Sequence, residues 1–359
     1  MLLAAAAVLA LILWRAVACA CGGTTAVTVT FGPVPPAPIP SLTGDGVKVG
    51  TFLGNYSRRF YGLGPVPQRL DVLWKVRLGE GWTSGKAATD PPGKWAGSGW
   101  TGMPNVVVDK GKTYIVVGGY DHRLRRLDAV TGDVVWEYKY DDIIKSSPSV
   151  FKNPQPTGAD DAYIVCAGSR RGYPLTMDDP NVAPYRAVTF GSGRELWRLP
   201  VPKTASYSRD TDGSGFYLDG RQYIGVESGW FYALDPLQTA AWNGFRRPQI
   251  VAQRLLLGDE RAASHHGNLV LESSASVLGS LIYVAGAATS PCSGTTSPAP
   301  TSTAPWCPRA AASCSCRWRS STSRGTAGCC AWIPPSPPRP PPSGSSPRPS
   351  ARWGSGAGA

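Results

Sequence analysis

One strand-like segment returns four times along this chain: Thr113-Tyr114-Ile115-Val116-Val117, Ala162-Tyr163-Ile164-Val165-Cys166, Gln222-Tyr223-Ile224-Gly225-Val226 and Leu281-Ile282-Tyr283-Val284-Ala285. The Tyr-to-Tyr spacings are 49, 60 and 60 residues. A period of this length implies repeated units that cannot bury an apolar face alone and must stack on their neighbours. Upstream of each Tyr, a small-residue entry leads into another short β run. These entries are Gly102-Met103-Pro104, Ser147-Pro148, Asp212-Gly213-Ser214 and Ser273-Ser274-Ala275. The turns Asp109-Lys110-Gly111 and Leu218-Asp219-Gly220 join run to run with residues that tolerate positive φ, as hairpins require.

Downstream of the Tyr strand, Leu127-Asp128-Ala129-Val130-Thr131-Gly132-Asp133-Val134-Val135-Trp136 reads as two strands around a Thr-Gly turn. Asp128 can bond the turn amides, Gly132 can take positive φ, and Trp136 offers a flat surface to the neighbouring unit. Gly193 to Trp197 keeps the Gly-x-x-x-Trp spacing, and Asp235 closes a third copy that lacks the Thr-Gly pair. Trp74 lies 62 residues before Trp136, which lies 61 before Trp197. Four strands per unit at this period predict an all-β propeller of four-stranded blades, incomplete, with about four blades recognisable. Val72–Leu78 reads as an outer strand that would complete the last blade by circular closure, and the blade begun at Ser276 lacks third and fourth strands.

The blade ending L-D-x-x-T-G-x-x-x-W, carried best by Leu127-Asp128 to Trp136, resembles the quinoprotein-type (PQQ-like) β-propeller repeat over roughly residues 70–287. Repeats of this type occur both in pyrroloquinoline-quinone dehydrogenases and in cell-envelope scaffold propellers, such as the lipoprotein of the outer-membrane protein assembly machinery. The resemblance implies a fold more narrowly than a function.

The ends differ from the body. Residues 2–14 form an apolar run of thirteen followed by Ala16-Val17-Ala18-Cys19, which resembles a signal peptide over residues 1–21 with Cys19 as a lipidation candidate. The alternatives are an uncleaved short anchor or a misassigned start. A Pro/Gly-rich linker is expected at 22–44, including Gly32-Pro33-Val34-Pro35-Pro36, and the blades at 45–288. Residues 289–359 contain 14 Pro, 15 Ser and seven Arg without Val, Leu, Lys, Asp or Glu, a composition that cannot bury a core and predicts disorder. Six of the nine Cys also fall there, a content foreign to ordinary linkers that favours an out-of-frame translation over a natural tail. Removing that tail leaves 29 basic and 24 acidic side chains in the body, so the net charge of +12 implies no nucleic-acid partner.

In a propeller the innermost strands and the loops feeding them line an axial channel. The ligand candidates there are Trp100, Thr101, Lys145, Ser146, Arg209, Asp210, Asp212 and Glu272. Asp128, Thr131, Gly132, Trp136, Gly193, Trp197 and Asp235 are expected to be structural. No zinc spacing, nucleophile elbow or phosphate loop is present, and Cys166 in an apolar strand reads as a buried structural thiol. The expectation is an exported, periplasmic or envelope-associated binding or scaffold module with no cofactor and no metal. Its partner would be an envelope protein or a small polar ligand, and any membrane contact would run through the N-terminal lipid or anchor. The alternative is a quinoprotein dehydrogenase of alcohols or sugars using pyrroloquinoline quinone and Ca²⁺, with Trp100, Asp210 and Glu272 pressed into its site.

Overall fold

The computed structural model describes residues 37–41, 43–60, 68–85, 91–99, 102–257, 269–278 and 281–286, with the backbone of four further short strands. The described residues form strands and turns, and no helix. In chain order the first elements are β1 (Arg15–Val17), β2 (Ala26–Thr30), β3 (Gly46–Val49) and a hairpin of β4 (Glu80–Thr83) with β5 (Gly93–Ala96). The first blade contains β6 (Asn105–Asp109), β7 (Lys112–Gly118), β8 (Arg123–Asp128) and β9 (Val134–Lys139), with β3 added beside β6. The second is β10 (Ser149–Lys152), β11 (Tyr163–Gly168), β12 (Tyr185–Thr189) and β13 (Glu195–Leu199). The third is β14 (Phe216–Leu218), β15 (Arg221–Gly225), β16 (Trp230–Trp242) and β17 (Phe245–Leu255). A fourth sheet has the order β1-β2-β19-β18, where β18 is Ser276–Leu278 and β19 is Leu281–Tyr283. All the pairings are antiparallel between sequence neighbours, except that β3 reaches to β6 and β2 to β19.

The near-continuous apolar runs of the Tyr strands follow from burial on both faces. In β11, Tyr163, Val165 and Ala167 join Val107, Val116, Leu124 and Ile144 in the core between the first two blades. The alternate residues Ile164 and Cys166 join Ile224, Tyr232 and Leu234 on the other side. A third core, between the third and fourth sheets, gathers Phe216, Phe231, Leu257, Leu271 and Ile282. Period-2 alternation therefore distributes side chains to two cores at once, and burial supplies the main stabilisation.

The tryptophans interlock the units. Trp136 Nε1 donates to Phe190 O at 2.8 Å, in the third-to-fourth-strand turn of the next blade, and Trp197 Nε1 to Pro236 O at 2.9 Å, at the irregularity in the third strand of the next blade. Trp74 Nε1 makes the same bond to Ala129 O at 3.1 Å. Gly132 and Gly193, at φ +80° and +74°, lie directly beneath the indoles of Trp74 and Trp136, where a Cβ would come within 2.7 Å of the ring. Asp128 holds its turn by accepting from the amides of Val130 and Thr131, and Asp235 accepts in the same way from Leu237 and Gln238 at the register shift within β16.

Several expectations are corrected. Residues 70–79 form no strand and pair with none among the described residues, so Val72–Leu78 is not the closing strand of the last blade. Strands β2 and β1 stand as third and fourth in the sheet begun at Ser276, the former paired through Thr30↔Leu281 and Val29↔Ile282. They lie at residues 15–17 and 26–30; the remaining residues of 1–36, Cys19 included, lie outside the described residues. The chain does not turn after Asp235 as the copies at Gly132 and Gly193 do. Instead β16 and β17 run on to an Asn243-Gly244 turn with both φ positive, a hairpin dipeptide that the sequence displays openly. The tail at 289–359 lies outside the described residues apart from β20 (Cys314–Cys316) paired with β21 (Ala327–Cys329).

Candidate functional site

Antiparallel order places the loops leading into each innermost strand and the turns between second and third strands on one face of the blades. Lys145 and Ser146 precede β10, Asp210 and Asp212 precede β14, and Glu272 precedes β18. The second-to-third-strand turns add Arg170 and Glu227 on the same face. Loops fixed by rigid sheets bring residues distant in sequence together there.

At the centre, carboxylate oxygens of Asp210, Asp212 and Glu227 lie within 4.8 Å of one another, all in buried residues. Lys145 forms an ion pair with Asp212. The Arg170 guanidinium donates from Nε to Asp210 Oδ2 at 2.7 Å and from Nη1 to Thr83 Oγ1 at 3.0 Å. The amide of Arg171 donates to the other Asp210 oxygen at 2.9 Å. Burial next to Asp212 and Asp210 raises the Glu227 carboxyl well above its usual value. Asp212, also pushed up by burial, is hydrogen-bonded to Glu227 and held back by the Lys145 ammonium. Burial opposes the charge of Lys145, but the surrounding carboxylates outweigh it and raise its pKa. Tyr207 faces the same acids, and burial with Glu227 and Glu272 pushes its phenol up to about 12. Asp142, raised by burial, accepts from the amides of Ile143 at 2.8 Å and Gly172 at 3.3 Å.

The β4–β5 hairpin covers this face. Its Thr83 is buried against Arg170, Ser84 Oγ donates to Gly172 O at 3.2 Å, and Trp95 packs edge-on to Tyr120 with centroids 5.5 Å apart. Residues 50–60 pack on the entries of β14 and β18. Arg58 donates to Ala275 O, Thr51 Oγ1, Phe52 O and Ser214 O at 2.7–2.9 Å. Thr51 Oγ1 in turn donates to Gly215 O at 2.6 Å. Burial lowers the Arg58 pKa, yet a guanidinium remains charged at neutral pH, so one cation ties the lead-in segment to the entries of β14 and β18.

Of the residues chosen from the sequence, Lys145, Asp210 and Asp212 come together. Ser146 turns to the backbone of Gly168, donating to its carbonyl and accepting from its amide, both at 2.9 Å. Arg209 turns outward, its guanidinium held by the carbonyls of Val201, Met177 and Asp179. Glu272 is half-buried and acts on Glu227 and Tyr207 electrostatically. Trp100 and Thr101 lie outside the described residues. Sequence reasoning missed Glu227, Arg170, Asp142, Thr83 and Arg58. The first two sit in the turn after each Tyr strand, at Ser169-Arg170 and Glu227-Ser228, and aligning those turns would have found them.

No family model matches the chain, and no curated protein matches it. Among solved structures it is similar to the computationally designed protein Ika8, at 13% identity over 50% of this chain and 44% of that one, with a TM-score of 0.28. It is also similar to BamB from Moraxella catarrhalis, at 12% identity over 56% of this chain and 70% of that one, with a TM-score of 0.24. The chain thus spans less than half the length of the designed protein. The blade architecture stands on the sheet registers themselves.

Proposed function

We propose that the chain is a non-catalytic binding module, a propeller scaffold exported to the cell envelope. The observation that carries this reading is that the ionic groups of the axial face pair with one another. Lys145 pairs with Asp212, Arg170 with Asp210, and Arg58 ties the lead-in segment to Ser214 and Ala275. A reaction centre needs groups held ready for substrate, whereas these groups are occupied with one another.

A quinone cofactor fits the described residues poorly. The three clustered carboxylates would suit Ca²⁺ in charge, but the Lys145 ammonium already stands against them, and the β4–β5 hairpin covers the face a flat ring would enter. Purified protein given pyrroloquinoline quinone and Ca²⁺ is expected to show neither bound-quinone absorbance nor dye-linked oxidation of alcohols or aldoses. Saturable binding with turnover would overturn the binding-module reading.

A further inference from the structure

The first-to-second-strand loop of the second blade, residues 153–161, lies beside that blade's third-to-fourth-strand turn, where the Gly191 amide donates to Asp160 O at 2.8 Å. Antiparallel order sets both on the face opposite Lys145. Next to them the third blade departs from its ladder. The pairing of β16 with β17 shifts between Asp235 and Thr239, and Trp197 Nε1 holds Pro236 O at 2.9 Å, so residues 236–239 form a wall. Loop, turn and wall enclose a cavity of about 390 Å³. That lies within the ~300–1,000 Å³ of small-molecule clefts.

The cavity has an apolar floor and a polar rim. Ile164 and Trp197 are buried in the floor, with Leu196 and Leu237 half-buried beside them. The rim sets Asp161 and Glu195 against Arg194 and Arg246, so its charges balance and favour an ion of neither sign. All four already hold partners. Asp161 accepts from the amides of Thr157 at 3.0 Å and Gly158 at 2.9 Å, and Glu195 pairs with Arg198 at 2.8 Å. Arg246 Nε donates to Thr239 Oγ1 at 2.6 Å, and Arg194 pairs with Asp160 at 3.4 Å.

Carboxamides are what remain for a ligand. Asn153 lines the cavity and is only 3% exposed. Its Oδ1 accepts from the Gln155 amide at 3.0 Å, while its Nδ2 has no acceptor among the described residues. A side chain so buried seldom keeps its donors idle, and a ligand acceptor removes that cost. Gln155 and Gln238 add two exposed carboxamides to the same rim. Each carboxamide offers donors and an acceptor in one plane, which matches neighbouring hydroxyls that both donate and accept. The apolar floor matches the C–H face of a sugar ring. An extended peptide would instead need a row of backbone partners along one strand, and these groups come from three separate segments.

We propose that this cavity between the second and third blades binds a neutral sugar ring, whose hydroxyls bond Asn153, Gln155 and Gln238 and whose C–H face rests on Leu196 and Leu237. This deepens the binding-module reading by naming its ligand and rests on it. Dye-linked turnover would overturn that reading, whereas absence of sugar binding would overturn this proposal alone.

The probes are the methyl glycosides of glucose, galactose, mannose and N-acetylglucosamine, which cannot be oxidised at the anomeric carbon. Each is added to the full chain and followed by saturation-transfer difference NMR. At least one should bind saturably, with a Kd of about 1 mM. Gln155→Ala and Gln238→Ala should each weaken it about three- to tenfold, the effect of losing a hydrogen bond, and keep the parent's urea midpoint because both side chains are exposed. Asn153→Asp keeps an acceptor for the Gln155 amide but removes the free donors, and should abolish binding. Glycerol, with hydroxyls and no ring, should give no saturable signal. Three results would each overturn the proposal: no saturation by any glycoside at ten times the expected Kd, binding unchanged in both Gln variants, or an equal signal from glycerol.

Discussion

Trp136→Ala tests whether the interlock between blades is the main determinant of stability. The indole is 8% exposed, packs in the core shared by the first two blades, and covers Gly193. Truncating a buried Trp typically costs ~3–5 kcal/mol. The Nε1 bond to Phe190 O is also lost, but that carbonyl keeps Arg126 Nη1 at 3.0 Å, so the added cost is the low end of about 1 kcal/mol. The total of about 4–6 kcal/mol rivals the whole stability of many domains. Trp136→Phe keeps most of the volume and loses the donor, for about 1–2 kcal/mol. Gly193→Ala attacks the other side of the contact, combining a strained left-handed residue at ~1–2 kcal/mol with a Cβ driven into the indole. The assay is urea unfolding followed by far-UV circular dichroism, because the remaining tryptophans confuse fluorescence. The expected order of midpoints is parent, then Trp136→Phe, then Gly193→Ala and Trp136→Ala, with the last lacking a cooperative transition. Trp136→Ala and Gly193→Ala both within about 0.5 kcal/mol of the parent, the range of ordinary surface substitutions, would refute the interlock.

Glu227 has a folded pKa raised above its ordinary value of 4.5, so its contribution to stability is fully present below that pH and is lost as pH rises through the folded value. Glu227→Gln should therefore flatten the fall in urea midpoint as pH rises above the ordinary carboxylate range, and a variant with the parent's slope would place the proton elsewhere. Cys166 is wholly buried and its thiol is pushed far up by burial, so the native chain should not react there with a thiol reagent until urea unfolds it; mass mapping of the labelled peptide reads the outcome. The coding DNA read in another frame from about codon 288 is expected to resume the Tyr strand and outer-strand Trp at intervals of about 60 residues, while stop codons in both other frames would leave 289–359 as the chain's own tail.

What the sequence determined by itself is everything that recurs locally. The period of the Tyr strands, the Asp-Thr-Gly turns and the Trp spacing specified four-stranded blades, because each is written within one unit and repeated in the next. The structure gives those residues a common reason: Trp74, Trp136 and Trp197 each donate to a backbone carbonyl of the neighbouring blade, and a glycine clears the space in the first two cases. The Asn243-Gly244 hairpin was equally local and could have been read. Tertiary structure alone decided the rest. That Glu227 lies against Asp212, that Thr83 bonds Arg170, or that Arg58 reaches Ser214 and Ala275 depends on loops brought together by blade stacking, at separations of up to 217 residues. No period encodes such pairings. The partner of an edge strand is likewise invisible in the strand itself: Val72–Leu78 carries the pattern of an outer strand, yet β2 and β1 stand in the last sheet, because any extended segment offers the same row of backbone donors and acceptors.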